Sequence, residues 1–381
     1  MKSNYKRLGP YIRLVDVRNT EDKKDNLLGV SVSKVFIKSI ANTVGTDFTK
    51  YKVVKKKQFT YIPDTSRRGD KIGIALLENE EEAIVSQAYT VFEVLDTESL
   101  LPEYLMMWFR RPEFDRYARF ISHGSVREIF SWEDMCDVEL PIPSITKQKE
   151  IVNEYNVLVD RINLNNQLIQ KLEETVQAIY KQWFIDYEYS DEKGGTTLNN
   201  YIETNPRLSL KKNELATYVE MKDLTTSSMG IMGFIKREFT GGSKFQNYDT
   251  LLARITPCLE NGKTAFVDIL DDNEIAAGST EFIVMRAKEN ISPYWVYCLA
   301  RDEYFRSYAI SSMVGSSGRQ RVHEKYLGEF ILPKINLEAM NDFHKKVRPI
   351  FKLVKLKSKE NNKLLTIKNI LLSKLATMEE S

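Results

Sequence analysis

Between residues 144 and 186 apolar side chains return every fourth and third position. The series is Ile151, Tyr155, Leu158, Ile162, Asn165, Ile169, Leu172, Val176, Ile179 and Trp183, with Asn165 its single polar member. A heptad seam sustained over more than four repeats predicts one long helix whose narrow stripe packs on another helix. One Asn in such a seam fixes register at some cost in stability. Pro141 and Pro143 block helix upstream, and Ser144 or Thr146 can cap its start. A similar stripe returns 192 residues later: Phe343, Val347, Ile350, Val354, Leu364 and Leu371, with a polar, basic middle. Asn336 takes the cap position of Ser144, and Pro349 inside this second segment predicts a kink.

The recurrence extends beyond the helices. At an offset of 191, Pro102 falls on Pro293, Arg110 on Arg301, Phe114 on Phe305, Tyr117 on Tyr308 and Ala118 on Ala309. At 192, Arg127 falls on Arg319, Leu140 on Leu332 and Pro141 on Pro333. This period is far too long for a solenoid, so the chain reads as a duplicated unit: a globular region, then a long helix. Four segments are expected, at 1–143, 144–190, 191–335 and 336–381. Two equal units meeting through one helix face relate most simply by a twofold axis. The two helices then form an antiparallel coiled coil that holds the globular regions at opposite ends of a rod. The stretches 20–70 and 196–250 show no convincing match.

The globular regions read as α+β. Strands are predicted at Ile72–Leu77, Tyr89–Leu95, Thr264–Leu270 and Phe282–Arg286. One helix is predicted from Pro102 to Phe120, with its counterpart from Pro293 to Ala309. Asp191-Glu192-Lys193-Gly194-Gly195 predicts a polar linker.

Composition narrows the chemistry. The 381 residues carry 55 Lys and Arg against 53 Asp and Glu, a net charge of +2 that argues against a simple electrostatic nucleic-acid binder. With three Cys and three His, neither a disulfide framework nor a structural zinc site is expected. No apolar run is long enough to span a membrane. The polar, basic opening from Met1 to Arg13 lacks an apolar signal core, so a cytoplasmic protein is expected. Asn205-Pro206 continues as Arg207-Leu208, without the second Pro and the aromatic residue of an amino-methyltransferase tetrad. Gly262-Lys263-Thr264 resembles the end of a P-loop, but Pro257 stands where that loop requires Gly. No catalytic constellation is found.

Basic, loop-like segments recur in both regions. Lys56, Arg67 and Arg68 lie in a stretch rich in Lys and Arg. In the second half, Lys236-Arg237 leads into Thr240-Gly241-Gly242-Ser243-Lys244, followed by Arg254 and Lys263. Arg319 lies where the repeat puts Arg127, the latter two residues after Ser125. Small residues let backbone N–H groups approach phosphates, and Arg can fork onto guanine.

The chain resembles the specificity (S) subunits of type I restriction–modification systems. The order of globular region, long helix, globular region, long helix carries the resemblance over essentially the whole chain. So do Leu140-Pro141-Ile142-Pro143 before Lys147-Gln148-Lys149-Glu150-Ile151, the seam running to Trp183-Phe184, and the opening Leu14-Val15-Asp16-Val17-Arg18-Asn19. The second copy departs from the pattern at Pro333-Lys334-Ile335, which lacks the second Pro, and at Met340.

The resemblance implies a non-catalytic reader of a bipartite DNA site, with one target-recognition domain per half. The helix pair would space the halves and dock two modification (M) subunits and restriction (R) subunits. S-adenosylmethionine, ATP and Mg²⁺ would be held only by those partners, and the chain itself would hold no metal. Lys56, Arg67, Arg68, Ser125 and Arg127 are the candidate DNA contacts in the first domain. In the second they are Lys236, Arg237, Ser243, Lys244, Arg254, Lys263 and Arg319. Two other readings stay open: a protein-binding scaffold with duplicated domains, and a self-sufficient methyltransferase or nuclease with a cryptic site.

Overall fold

A computed structural model describes residues 5–40, 43–65, 69, 71–123, 128–186, 190–316 and 318–377, with backbone alone over 190–194. It is a mixed α and β structure with two long helices, Ile145–Phe184 and Leu337–Lys374. The chain divides into two compact units, Met1–Arg161 with Leu364–Ser381, and Ile162–Lys363. Each unit therefore takes in a sheet-rich domain and a stretch of both helices.

In the first unit a four-stranded antiparallel sheet runs in the order Ile12–Val15, Thr90–Val94, Phe59–Tyr61, Ile74–Leu76. Lys52–Lys55 pairs with Glu82–Val85, and Leu28–Val30 forms a hairpin with Phe36–Lys38. Tyr5–Arg7 pairs with Glu139–Pro141, where the chain leaves the domain for the first long helix. The second unit repeats this frame. Its sheet runs Ile202–Thr204, Phe282–Ala287, Thr250–Ala253, Thr264–Phe266. A second sheet runs Ile235–Glu238, Leu215–Val219, Ala276–Gly278, Ser243–Phe245, with one parallel pairing.

The frame is thus shared even across 20–70 and 196–250. Lys52–Lys55 and Phe59–Tyr61 answer to Ser243–Phe245 and Thr250–Ala253. What differs is the connection inside one hairpin: residues 31–35 in the first domain, 220–234 in the second.

Two sequence expectations need correction. The helix expected from Pro102 to Phe120 is two helices, Pro102–Phe109 and Pro112–Ser122. Pro112 has no N–H and disfavours helical backbone at Arg111, so the chain turns there. Its counterpart also breaks, into Pro293–Arg301 and Glu303–Ser311, because the Asp302 side chain accepts the Phe305 N–H and caps a new start. The polar stretch expected as a linker belongs to a strand, Ser190–Thr197, paired with Ile331–Ile335 through an irregularity between Asp191 and Gly195. A Cβ on Gly195 would lie 2.7 Å from Ile331 Cγ2, so glycine permits this close pairing.

The seam positions are buried or half-buried along both helices. In the second unit Asn165 Nδ2 donates to Asn361 Oδ1 at 2.9 Å, and Asn361 Nδ2 donates to Asn166 Oδ1 at 2.8 Å. Eighteen residues further along the first helix and eighteen back along the second, Trp183 meets Phe343 edge-on at 6.1 Å. One antiparallel register accounts for both pairs. In the first unit Ile151 and Tyr155 share a core with Leu372 and Leu375, again start against end. The helices also pack on their domains. Glu173 is buried on the first long helix, where it accepts hydrogen bonds from the Tyr297 hydroxyl and the Met229 N–H. Burial pushes its carboxyl above the usual range. The second helix, Leu337–Lys374, continues unbroken through Pro349.

Two predictions follow from this packing. Asn165→Leu leaves the buried Asn361 Oδ1 without its donor, while Asn361 Nδ2 keeps Asn166, and should destabilise the protein by about 1–3 kcal/mol. The double change N165L/N361L should recover most of that loss, read as the urea midpoint.

Asp268 faces Lys355 and Lys359 of the second long helix, and burial pushes its carboxyl up to about 6 against their opposing charge. A carboxyl raised by folding is tolerated while protonated and costs stability once ionised. The contribution of this carboxyl to stability should therefore fall as pH rises from about 4 to about 6, and the stability of D268N relative to wild type should rise over the same window. Above pH 7 the variant should be the more stable by about 2 kcal/mol, partial exposure trimming the full linkage value.

Candidate nucleic-acid interface

The same clasp occurs once in each domain, at the end of the strand that follows the sheet's centre. In the second domain Thr256 N donates to Gln320 O at 3.1 Å, and Gln320 N donates to Thr256 Oγ1 at 3.0 Å. Val322 N donates to Arg254 O at 2.9 Å. In the first domain Thr65 N donates to Glu128 O at 3.0 Å, and its Oγ1 donates to the same oxygen at 2.8 Å. Phe130 N donates to Pro63 O at 2.9 Å. The offset between these pairs is the repeat offset, so a threonine holds the equivalent segment in both halves.

The second-domain clasp closes a hairpin. Val314 and Arg321 exchange two backbone hydrogen bonds of 3.0 Å each. Gly315 turns the chain at φ +131°, a conformation that side chains resist. Arg321 forks onto Glu281 with contacts of 2.7–3.0 Å, which raises the guanidinium's affinity for its proton. With Arg321 held at the base, Arg319 is presented outward on the exposed turn.

The first-domain clasp is braced differently. Arg119 donates to Glu128 at 2.7 and 3.2 Å, and this bond holds the Glu128 carboxyl below its usual range. Thr65 Oγ1 also meets Ser122 Oγ at 2.8 Å. At the far end of the segment that begins at Thr65, Asp115 Oδ1 accepts from Ile72 N at 3.1 Å and from the buried Lys34 Nζ at 2.6 Å. Burial lowers the Lys34 ammonium's affinity for its proton, with Asp115 opposing.

The sequence-predicted contacts are spread over these surfaces. Arg67, Arg68, Ser125 and Arg127 lie outside the described residues. Lys56 is exposed and pairs with Glu81 at 2.7 Å. Lys236 pairs with Glu274 at 2.7 Å, and the Arg237 guanidinium lies 3.4 Å from the centre of the Tyr218 ring. These two sit on one edge strand of the second sheet, whereas Ser243 and Lys244 sit on the opposite edge strand. Ser243 Oγ donates to Phe282 O at 2.8 Å, and Lys244 Nζ donates to Leu208 O at 2.6 Å. Lys263 Nζ donates to Met221 O at 2.8 Å. Arg254 lies 3.8 Å from Glu324. Among the described candidates, only Arg254 and Arg319 are brought to one clasp. Several of the cations thus have partners within the fold that their residue type did not reveal.

Sequence reasoning missed Thr65, Thr256, Arg321, Glu281, Lys34 and Asp115. The threonines did carry a signal, since they fall on each other at the repeat offset of 191. Among the described residues no group of three or more His, Cys, Asp or Glu could hold a metal ion, and no helix is long and apolar enough to cross a membrane.

Residues 2–174 match the family model described as the type I restriction modification DNA specificity domain. The HindI specificity subunit of Haemophilus influenzae is 28% identical over 140 residues, 36% of this chain and 30% of that protein. The match thus spans under a third of that relative's length. The MjaIX specificity subunit of Methanocaldococcus jannaschii is 23% identical over 309 residues, 74% of this chain and 70% of the relative. In fold, the S subunit of a type I restriction–modification system from M. genitalium matches with a TM-score of 0.55 at 15% identity, covering 99% of this chain and 96% of that one. Residues 2–174 are thus similar to the type I restriction modification DNA specificity domain, and the fold over the length of the chain is similar to that of a type I S subunit.

Proposed function

We propose that this chain is the non-catalytic reader of a type I restriction–modification complex, recognising a bipartite DNA site with one domain per half. The observation that carries the reading is the duplication itself: one sheet order and one threonine clasp, repeated, with different connections and different side chains around each. A duplicated frame that keeps its scaffold and changes its surface suits two unlike targets. Residues 1–143 and 191–335 are the target-recognition domains, and 144–190 and 336–381 the helical segments. The helix pair sets the spacing between the half-sites and docks two modification subunits, with restriction subunits joining them. S-adenosylmethionine, ATP and Mg²⁺ belong to those partners. Phosphate contacts from Lys and backbone N–H groups would fix position on the duplex, and loop side chains would read base edges. The modest net charge of +2 fits a reader that shares the phosphate clamp with its partners.

The test is methylation-site sequencing in a host that carries the chain with its modification partners. A split motif is expected, and exchanging residues 1–143 for another such domain should change one half of it and leave the other intact. No motif, or a change in both halves, would contradict the reading.

Individual cations separate by role. Arg319→Ala should leave the unfolding temperature unchanged, weaken DNA binding by the assembled complex and change its salt dependence. Lys263→Ala removes a bond to the Met221 carbonyl and should lower the unfolding temperature. Paired thermal unfolding and salt-titrated binding check both outcomes.

A further inference from the structure

We propose that Thr65 and Thr256 are paired positioning residues, each setting recognition of one half of the DNA site; this rests on the reading of the chain as a two-domain reader. Three observations carry it. The two threonines are related by the repeat, and each bonds through both its backbone N–H and its hydroxyl to one equivalent residue, Glu128 or Gln320. At Thr256 the hydroxyl ties a second backbone atom, the Gln320 N–H; at Thr65 it adds a second bond to the Glu128 carbonyl oxygen and also meets Ser122 Oγ. Thr65 is buried, so its hydroxyl cannot exchange these partners for water.

The second domain shows what the clasp governs. Gln320 is the residue next to Arg319, and Arg319 is exposed on the turn that the Val314–Arg321 pair closes. Fixing the Gln320 backbone from both sides fixes the direction in which Arg319 leaves the fold. An Arg reads a base edge only when its planar fork arrives in the right orientation. A loop that keeps its other backbone bonds but loses the hydroxyl bond beside Arg319 would still reach DNA but would present that side chain over a wider range of angles. Loss of the hydroxyl should then cost discrimination more than it costs binding or stability.

The surrounding braces differ between the domains. Glu128 is held by Arg119, whereas the base of the second loop is held by the Arg321–Glu281 pair. The threonine is the element common to both, which is why it is assigned the positioning role in both.

The experiment uses the full chain with its modification partners in a host, comparing wild type with T65V, T256V, T65S and T256S. Valine keeps the shape of threonine and removes the hydroxyl, and serine keeps the hydroxyl. Methylation is read at the motif and at every single-base variant of it. For T65V, discrimination should fall roughly tenfold in one half-site and stay unchanged in the other, the loss expected for about one buried hydrogen bond. T256V should show the converse, and both serine variants should remain close to wild type.

A second readout is hydrogen exchange in the purified chain. The Gln320 amide should exchange faster in T256V, while amides of the strand Phe282–Ala287 stay protected. A wild-type chain that yields no split motif would overturn the reading on which the proposal rests. A split wild-type motif whose halves survive both valine variants, or weaken equally in both, would overturn the proposal alone.

Discussion

A helix of 40 residues is about 60 Å long and has no stable existence alone with a narrow apolar stripe. The antiparallel seam between the two long helices is therefore the constraint on which the rest depends. Apolar side chains alone would tolerate sliding by a heptad, since one heptad of leucine-like residues packs much like the next. The Asn165–Asn361 hydrogen bond removes that freedom, because a slip would leave both amides buried and unpaired. The register it sets brings Trp183 to Phe343 and leaves Glu173 turned toward Tyr297 and Met229 of the domain beside it.

On that base each domain closes its own chain. Tyr5–Arg7 against Glu139–Pro141, and Ser190–Thr197 against Ile331–Ile335, tie the entry of each domain to its exit. The exits lead directly into the long helices. A domain held at both ends of its chain can lengthen an internal hairpin without disturbing the frame. The connection at 220–234, against 31–35 in the first domain, is such a change. Recognition surfaces can then diverge while the clasps at Thr65 and Thr256 stay the same.

The seam was legible because helical periodicity is local and repeats many times within one element. The duplication was legible because large aromatic, Arg and Pro residues recur in order. The strand frame across 20–70 and 196–250 was not, since three-residue strands such as Phe59–Tyr61 carry almost no periodic signal and their pairing is decided far away in the chain. The break before Pro112 was readable from its missing N–H, but the break at Asp302 depends on a side chain choosing to cap. The basic residues were the hardest to interpret. Lys263, Lys244 and Lys236 look alike in sequence, yet two reach backbone carbonyls and one a carboxylate. Residue type announces a charge, and only the fold says whether that charge is already engaged. Thr65 and Thr256 passed unnoticed for the opposite reason: a threonine is chemically ordinary until its hydroxyl is seen closing a loop.

The most direct measurement is a structure of the full chain bound to a duplex carrying its own motif. The account predicts that the loop bearing Arg319 meets base edges in one half-site, that the segment clasped by Thr65 meets the other, and that Asn165 remains bonded to Asn361. Both clasps facing away from the duplex, or both engaged on the same half-site, would contradict it.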